Sequence, residues 1–359
     1  MRRIALLLLG ATCSFLSADD VRLNQIQVIG THNSYHIAPA PGIKSLIATI
    51  KSDLASSLDY THRPLPEQFE TLGIRQIELD VFADPKGGLF SRPSARTRGI
   101  GDVGPDPNEN RVLDRPGFKV LHVQDIDFRT TVPTLEEALL QIAKWSVANP
   151  KHVPIMVQLE LKDQAQPLLP TKLVPFSDDM LGELEATIRR AFSTDRLIEP
   201  RSDMAKVIAT TGWPSLDTCR GKVMFVLDNE GTIGERYRAG KWRKPAESAV
   251  LFALRDESDP AAAVFKINDP VADFDRIQRL VKKGFLIRTR ADADTVEARK
   301  NSVTRRDKAF ASGAHWISTD FPEARTDLSP YRVQFDGGRT VRFNPLTAPE
   351  RSGDLEMKP

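Results

Sequence analysis

Cysteine is scarce in this 359-residue chain, which contains only Cys13 and Cys219. Cys13 lies in a segment that we predict is removed, so the mature protein has no partner for an internal disulfide. Its stability must therefore come from a hydrophobic core, and a composition of 40% hydrophobic and 27% charged residues is typical of a protein that forms one. The sequence also lacks a His-Glu-x-x-His pattern, which argues against a zinc site.

A large net charge is lacking as well. The formal net charge is +2 and the isoelectric point is near 8.5, so the chain as a whole has no strong attraction to nucleic acid. After the first residues, no run approaches the roughly 20 apolar residues that a membrane-spanning helix needs. We therefore expect no nucleic-acid partner and no transmembrane segment in the mature chain, and we expect a monomer.

The first residues, Met1–Ala18, have the layout of a secretion signal. Arg2-Arg3 precedes the apolar run Ile4–Leu9, and small residues follow up to Ala18. This pattern predicts a secreted or periplasmic protein. The residues before Cys13 lack the leucine that is usual in lipoprotein signals, so lipoprotein anchoring through Cys13 is disfavoured.

Eight short β-branched or apolar runs follow the signal, with helical patterns between several of them. One helix is marked by the capping box of Thr134 and Glu137, another by Ser177 before two acidic residues, and a third stretch covers Asp292–Ala311. This alternation predicts an α/β fold, a (β/α)8 TIM barrel over residues 19–327. The runs are Ile26–Ile29, Ile74–Phe82, Lys119–Val123, Ile155–Leu161, Lys222–Leu227, Ala263–Ile267, Gly284–Thr289 and His315–Thr319.

Two regions fall outside this alternation. Asp84–Phe118 is long and rich in Gly, Pro and Arg, which predicts a loop after the second strand that crosses the barrel mouth. Near the end, Tyr331–Phe335 and Arg339–Phe343 flank Asp336-Gly337-Gly338, a pattern typical of a β-hairpin. We assign residues 328–359 to this C-terminal hairpin and a tail.

Polar side chains lie where several of the predicted strands end. His32 and Asn33 follow the first strand, while Glu78 and Asp80 share one face of the second because residues two apart point the same way. Glu160 and Lys162 likewise share a face of the fourth strand. The carboxyl ends of barrel strands meet at one mouth, so these groups are expected to form one site.

Carboxylates that are buried together repel one another unless a positive charge lies between them. One solution is a divalent cation, for which the all-oxygen set suits Ca²⁺ or Mg²⁺. That set consists of Asn33, Glu78, Asp80 and Glu160. The alternative is a barrel interior neutralised by salt bridges to Lys162 and Arg75.

His32 and His122 follow the first and third predicted strands. Two imidazoles beside a metal form a plausible acid–base pair, because an unperturbed histidine titrates near pH ~6.5. Arg288 and Arg290 share a face of the seventh strand, and with Lys162 they are candidates for binding a phosphate; for each, the alternative is a structural ion pair. Two further candidates are His36 and Asp320.

Four motifs occur in order: Gly30-Thr31-His32-Asn33-Ser34-Tyr35, Ile77-Glu78-Leu79-Asp80, His122, and Pro154–Glu160. Together they resemble the catalytic half of the calcium-dependent phosphoinositide-specific phospholipase C family. The likeness is to its bacterial secreted branch, and it extends from about Asn24 to Pro322.

The resemblance implies a phospholipid substrate, met at a membrane or micelle surface, and Ca²⁺ as cofactor. It implies that His32 and His122 are the two catalytic histidines, with His122 as general acid. The implied base that deprotonates the inositol 2-hydroxyl is a metal-bound carboxylate, Glu78 for preference, or else His32. Attack of that hydroxyl on phosphatidylinositol would release diacylglycerol and form a cyclic inositol phosphate. The implied calcium ligands are Asn33, Glu78, Asp80 and Glu160.

Two other functions compete with this one. A barrel phosphodiesterase of the same superfamily that acts on glycerophosphodiesters or lysophospholipids would also place a metal among a His, a Glu-x-Asp pair and a later His. In those families the residue after the first histidine, here Asn33, would more often be followed by a glycine-rich run, which this sequence lacks. A secreted barrel that binds a lipid head group without catalysis is the other alternative. Every expected catalytic position holds a chemically competent residue, which favours an enzyme.

Overall fold

One curved β-sheet of eleven strands organises residues 21–99, 101–164, 166–240 and 248–355, which are the residues that the computed structural model describes. The predicted signal segment, including Cys13, lies outside them. The strands are β1 (Ile26–Thr31), β2 (Gln76–Asp84), β3 (Gly117–Val120), β4 (Ile155–Leu161), β5 (Leu197–Ile198), β6 (Val223–Leu227), β7 (Leu251–Ala253), β8 (Val264–Lys266), β9 (Leu286–Arg290), β10 (Trp316–Thr319) and β11 (Val341–Phe343).

Parallel pairing joins β8, β9, β10, β1, β2, β4, β6 and β7 in that order around the molecule. The short strand β5 also pairs with β6. These strands and the helices outside them form the predicted TIM barrel. Within the described residues no ladder joins β7 to β8, so the sheet is open at that seam.

Helices cover the outside of the sheet. Thr134 caps α5 by accepting a hydrogen bond from the Glu137 backbone N–H at 3.2 Å, and Ser177 caps α6 in the same way, which confirms both predicted helix starts. The helices are α1 (Pro41–Ile50), α2 (Ser52–Ser57), α3 (Leu65–Glu70), α4 (Ala95–Arg98), α5 (Leu135–Ala148), α6 (Asp178–Ala191), α7 (Met204–Thr210), α8 (Leu216–Cys219), α9 (Gly231–Ala239), α10 (Phe274–Lys282), α11 (Val296–Lys300) and α12 (Thr304–Ala311).

The third predicted barrel strand is wrong. Residues of Lys119–Val123 contribute instead to β3, which pairs antiparallel with the end of β2, and His122 lies in the irregular segment that follows. The eighth parallel strand of the barrel is instead β7, which follows β6 and has only three residues. An apolar run of this length specifies neither its direction nor its neighbour, because both depend on pairing with distant residues.

Two smaller predictions also differ from the structure. Asp292–Ala311 contains two helices, α11 and α12, which are separated at Asn301, a residue with a left-handed backbone (φ 48°). The C-terminal hairpin has its glycine turn, but only one of its arms is a strand: β11 pairs antiparallel with β1. The other arm, 331–335, is extended without a ladder and alternates between buried and more exposed side chains, packing Tyr331, Val333 and Phe335 into the core.

The barrel interior changes character along each strand. Its amino-terminal half is apolar and includes Val28, Met156 and Trp316, whereas the inward positions further along are polar, such as Gln158 and Ser318. Because side chains alternate across a strand, the intervening residues pack outward against the helices. Polar chemistry is therefore concentrated at the carboxyl end of the barrel.

A separate apolar cluster lies beside this end and holds the long loop after β2. Ile43 and Ile47 of α1 pack with Phe90 and Ala95 from the loop and with Phe128 beyond His122. This contact packs part of the long loop after β2 against α1, the helix that follows β1; that the loop crosses the barrel mouth stays a prediction. In the described parts of the chain, no helix combines the length and the apolar character needed to cross a bilayer.

Gly30 has a structural role in the first motif. It is paired with Gln76 of β2, and a Cβ atom placed on Gly30 would lie 2.6 Å from the Gln76 Cβ atom.

We expect Gly30→Ala to lower the free energy of unfolding by about 1–3 kcal/mol, as overpacking in interiors usually does, and Gly30→Val to lower it further. Urea unfolding followed by circular dichroism measures this, and equal midpoints for the three proteins would contradict it.

Candidate active site

Three carboxylates meet at the carboxyl ends of β2 and β4. Asp80 and Glu160 are register partners across the two strands, and Glu78 lies two residues before Asp80 on the same face. One oxygen atom from each of the three lies within 4.8 Å of the others. The structure thus brings together the three predicted carboxylate ligands.

This cluster fits a hard divalent cation. All its donors are oxygen atoms, the kind of ligand that calcium prefers. Asp80 is fully buried, and neither of its carboxylate oxygens accepts a well-aligned hydrogen bond. Such orphaned acceptors are unfavourable in a protein interior unless a cation or water meets them.

Two internal cations also contact the carboxylates. The Lys162 Nζ atom lies 3.0 Å from Asp80 Oδ2 and 2.7 Å from Glu160 Oε1, while an Arg288 guanidinium nitrogen lies 2.5 Å from Glu78 Oε2. The alternative of a salt-bridged interior therefore has one correct element, Lys162. Its other proposed member, Arg75, donates to backbone carbonyls and stacks on Trp145 instead.

The carboxylates keep unusual proton affinities despite these cations. Burial raises the pKa of Glu78 to about 7 against the effect of Arg288, and neighbouring carboxylates act in the same direction as burial. Burial likewise raises the pKa of Asp80 to about 7 against the effect of Lys162. Near neutral pH the cluster is thus poised between protonation and cation binding.

His32 is held by a carboxylate at the end of β10. Its Nδ1 atom lies 2.8 Å from Asp320 Oδ1, and Arg290 donates to the other oxygen of Asp320 at 2.9 Å. Burial opposes ionisation of Asp320, but His32 and Arg290 hold its pKa well below the usual range. Because Asp320 is an acceptor, Nδ1 of His32 carries the proton and Nε2 presents a lone pair.

The Nε2 atom of His32 faces the acidic cluster and accepts a long hydrogen bond from Arg290. It lies 3.7 Å from Glu78 Oε1 and 3.4 Å from an Arg290 nitrogen. Burial and the charge of Arg290 hold the pKa of His32 well below its usual range, so the ring is neutral at neutral pH. A neutral, oriented imidazole beside the cluster can accept a proton from a bound hydroxyl.

His122 is held in a similar way by Asp127. The His122 Nδ1 atom lies 2.7 Å from Asp127 Oδ2, and the ring is partly exposed at the barrel mouth. Burial opposes ionisation of Asp127, but His36 and His122 hold its pKa well below the usual range. Nδ1 of His122 therefore donates to a carboxylate, and Nε2 is left to act toward the mouth.

His36, the third histidine of this group, is fully buried. Its Nδ1 atom lies 3.0 Å from the Tyr60 carbonyl oxygen, and its Nε2 atom lies 2.9 Å from Asp127 Oδ2. Both partners are acceptors, so both ring nitrogens are placed to donate. The ring also stacks on Tyr60 at 4.3 Å, so His36 is a partner of Asp127 rather than a group open to substrate.

Asn33 lies beside His32 in a left-handed conformation, with a φ of 44° that asparagine tolerates well. Its amide nitrogen donates to the Tyr60 hydroxyl at 3.0 Å, so the amide oxygen is turned away from that hydroxyl. This orientation is compatible with the predicted role of the oxygen as a metal ligand, which stays a prediction.

Sequence reasoning missed several members of the site. Asp127 follows His122 by five residues in a polar stretch, and this spacing was the available signal for it. Asp228, after β6, contacts Gln158 and is paired with Lys266 at 2.6 Å, but an isolated aspartate after a strand carries no distinctive pattern. Asp320 was among the weaker candidates and proves to be the direct partner of His32.

The model of the phosphoinositide phospholipase C family, Ca²⁺-dependent, matches residues 21–345. The chain belongs to this family. Its members are enzymes, so this chain is a phosphoinositide phospholipase C, and the resemblance carried by the four motifs is confirmed. A search of curated proteins gave no match.

Solved structures with the same fold include bacterial enzymes of this kind. The calcium-dependent phosphoinositol-specific phospholipase C of a Pseudomonas species aligns at 14% identity and a TM-score of 0.51, covering 91% of this chain and 96% of that chain. A myoinositol complex of that enzyme aligns with the same values. The phosphatidylinositol-specific enzyme of Streptomyces antibioticus aligns at 15% identity and a TM-score of 0.51, covering 84% and 95%.

The raised pKa values of Glu78 and Asp80 predict how calcium stabilises this phospholipase. A pKa of about 7 in the folded state, against about 4 in the unfolded chain, contributes stability at low pH that is lost as the pH rises through 7. Calcium needs the deprotonated carboxylates, so we expect it to raise the melting temperature more at about pH 8 than at about pH 6.

The measurement is thermal unfolding at both pH values, in chelator and with added calcium. One calcium concentration is used at both pH values. If it is roughly 100 times the Kd at the higher pH, calcium should add about 2.7 kcal/mol of stability there. Glu78→Gln serves as the control and should reduce the gain at the higher pH. An equal gain at the two pH values would contradict the prediction.

Proposed function

We propose that the protein is a secreted or periplasmic, calcium-dependent phosphodiesterase that cleaves phosphatidylinositol-type lipids to diacylglycerol and a cyclic inositol phosphate. The observation that carries this proposal is the pair of histidines at the barrel mouth, His32 and His122, each oriented through Nδ1 by its own carboxylate. Two oriented imidazoles supply the base and the acid that phosphodiester cleavage needs. The substrate is met at a membrane or micelle surface, and the enzyme acts as a monomer.

Calcium would be held by Glu78, Asp80 and Glu160, whose oxygens converge, and by the amide oxygen of Asn33. When bound, it supplies a positive charge that stabilises the phosphate oxygens and lowers the pKa of the inositol 2-hydroxyl. The buried oxygens of Asp80, which lack a well-aligned hydrogen-bond donor, support this assignment.

His32 is the general base that the geometry favours. Of the two candidates, Glu78 already accepts from Arg288 at 2.5 Å and belongs to the cation cluster, whereas Nε2 of His32 accepts from Arg290 over a longer distance of 3.4 Å, a weaker contact for a bound hydroxyl to replace. His32 removes the proton of the 2-hydroxyl, and the resulting oxygen forms a bond to phosphorus. Asp320 stabilises the imidazolium that is formed.

His122 is the general acid. As the bond between phosphorus and the glycerol oxygen breaks, Nε2 of His122 gives its proton to that oxygen, and diacylglycerol leaves. Asp127 holds His122 in place, and the contact with His36 helps to lower the pKa of Asp127. Opening of the cyclic product by water would use the two histidines with their roles reversed.

The phosphate and inositol groups have three cationic candidates, Lys162, Arg288 and Arg290. Arg290 is favoured for the phosphate because it lies beside His32 Nε2 and its Nε atom is buried without a partner. Lys162 and Arg288 are engaged by the acidic cluster, so their contribution to substrate binding depends on how those ion pairs rearrange.

Phosphorus NMR of the purified protein with phosphatidylinositol in detergent micelles tests the proposal. A cyclic inositol phosphate resonance should appear in millimolar calcium and should be lost after chelation. Cleavage of glycerophosphodiesters or lysophospholipids, without turnover of phosphatidylinositol, would assign the protein to the related phosphodiesterases. If none of the three substrates is cleaved, a barrel that binds a lipid head group without catalysis becomes the favoured function.

His122→Ala separates catalysis from metal binding. We expect it to slow turnover by about 10²–10⁴-fold, the usual contribution of a general acid, while calcium affinity measured by calorimetry stays unchanged. Glu78→Gln is the matched comparison and should weaken calcium affinity and activity together. Full activity in His122→Ala protein would show that the acid is misassigned.

A further inference from the structure

The structure contains two histidine–aspartate dyads, His32–Asp320 and His122–Asp127. Asp125 lies at the tip of the turn that carries the second of them. The turn begins after His122 and is closed by two hydrogen bonds between the backbones of Val123 and Asp127, at 2.9 and 3.0 Å. Asp125 has a φ of 68° and is 3% exposed. A carboxylate that is buried at the tip of a surface turn needs hydrogen bonds to offset its desolvation.

Two other segments of the barrel mouth provide those hydrogen bonds. From the long loop after β2, the Ser94 backbone N–H donates to Asp125 Oδ1 at 2.9 Å. From the connection after β4, the Thr171 backbone N–H donates to Oδ2 at 2.9 Å and the Thr171 hydroxyl to Oδ1 at 3.0 Å. The Asp125 carbonyl also accepts from the Ala95 N–H at 3.1 Å.

These contacts join three chain segments that do not pair with one another through strands. His32 is placed by the end of β1, but β3 ends at Val120, so no strand holds His122. A general acid on a loop must still be kept within roughly 0.5 Å of its working position. Hydrogen bonds to a carboxylate are stronger than neutral ones, so a single side chain can fix the turn against both neighbouring segments.

We propose that Asp125 is a positioning residue for catalysis, which fixes the turn between His122 and Asp127 and so aims His122 at the leaving-group oxygen. This inference rests on the proposed function, because it takes His122 to be the general acid. A purely structural role is the competing explanation. It predicts that loss of the contacts lowers stability and slows every substrate alike.

Asp125→Asn is the test variant because asparagine also tolerates the left-handed backbone. If its amide oxygen keeps the contacts with Ser94 and the Thr171 hydroxyl, its NH₂ group faces the Thr171 N–H, donor against donor. We expect kcat for phosphatidylinositol to fall by about 10–100-fold with KM unchanged, the scale of effect for a small misplacement of a reacting group.

The leaving group identifies the step that is affected. A nitrophenyl ester of inositol phosphate releases a stable phenolate that needs no proton, so a misplaced acid has little effect on it. We expect Asp125→Asn to retain nearly wild-type turnover of this ester. Equal losses on both substrates would overturn the proposal in favour of the structural role.

A double-mutant cycle gives a second, independent readout. In a His122→Ala background the turn has no acid to aim, so Asp125→Asn should cause no further loss of turnover. Losses that multiply would overturn the proposal. Thr171→Val removes only the hydroxyl contact and should show the same leaving-group dependence with a smaller effect, which keeps the test available if Asp125→Asn does not fold.

Asp256→Asn is the matched control. Asp256 also accepts from a backbone N–H and a hydroxyl, both of Ser258, at 2.9 and 2.6 Å, but it is exposed in the connection between β7 and β8. It should leave turnover of both substrates unchanged. If the wild-type protein cleaves neither substrate, the proposed function fails; if it cleaves both and Asp125→Asn matches it, only this inference fails.

Discussion

Negative charge that is buried at the carboxyl end of a barrel is unfavourable unless fixed positive charges or donors surround it. The neighbours of the acidic cluster meet this requirement: Arg288 contacts Glu78, and Lys162 lies against Asp80 and Glu160. The neutralisation is incomplete, since Asp80 keeps buried oxygens without aligned donors. This residual negative charge makes the end of the barrel a place for a cation rather than only a structural network.

The same constraint governs the two histidine dyads, which are built differently. Asp320 has a permanent cation, Arg290, as its second partner, whereas Asp127 has a buried histidine, His36, as its second partner. Each arrangement keeps the carboxylate ionised and holds the histidine at the barrel mouth in one orientation. His32 is supported by the barrel strands, while His122 depends on contacts between loops.

The sequence was sufficient to predict the barrel and the acidic cluster because both follow from local rules. Alternation along β2 and β4 puts Glu78, Asp80 and Glu160 on inward faces, and the shared mouth brings them together. The prediction failed where pairing with distant residues decides the structure, as for β3, β7 and the arm before β11. Asp127 was missed for the same reason, since its contact with His36 joins residues that are far apart in the sequence.

The pairing of β11 with β1 has a consequence for how the molecule is assembled. The amino-terminal part of β1, ahead of its contact with β2, is bordered by residues 341–343 from near the other end of the chain, and β10 covers the opposite side. The strand that positions His32 therefore cannot complete its hydrogen bonding until residues 341–343 have been synthesised. A chain that stopped before β11 would leave the backbone of Ile26–Val28 without its antiparallel partner.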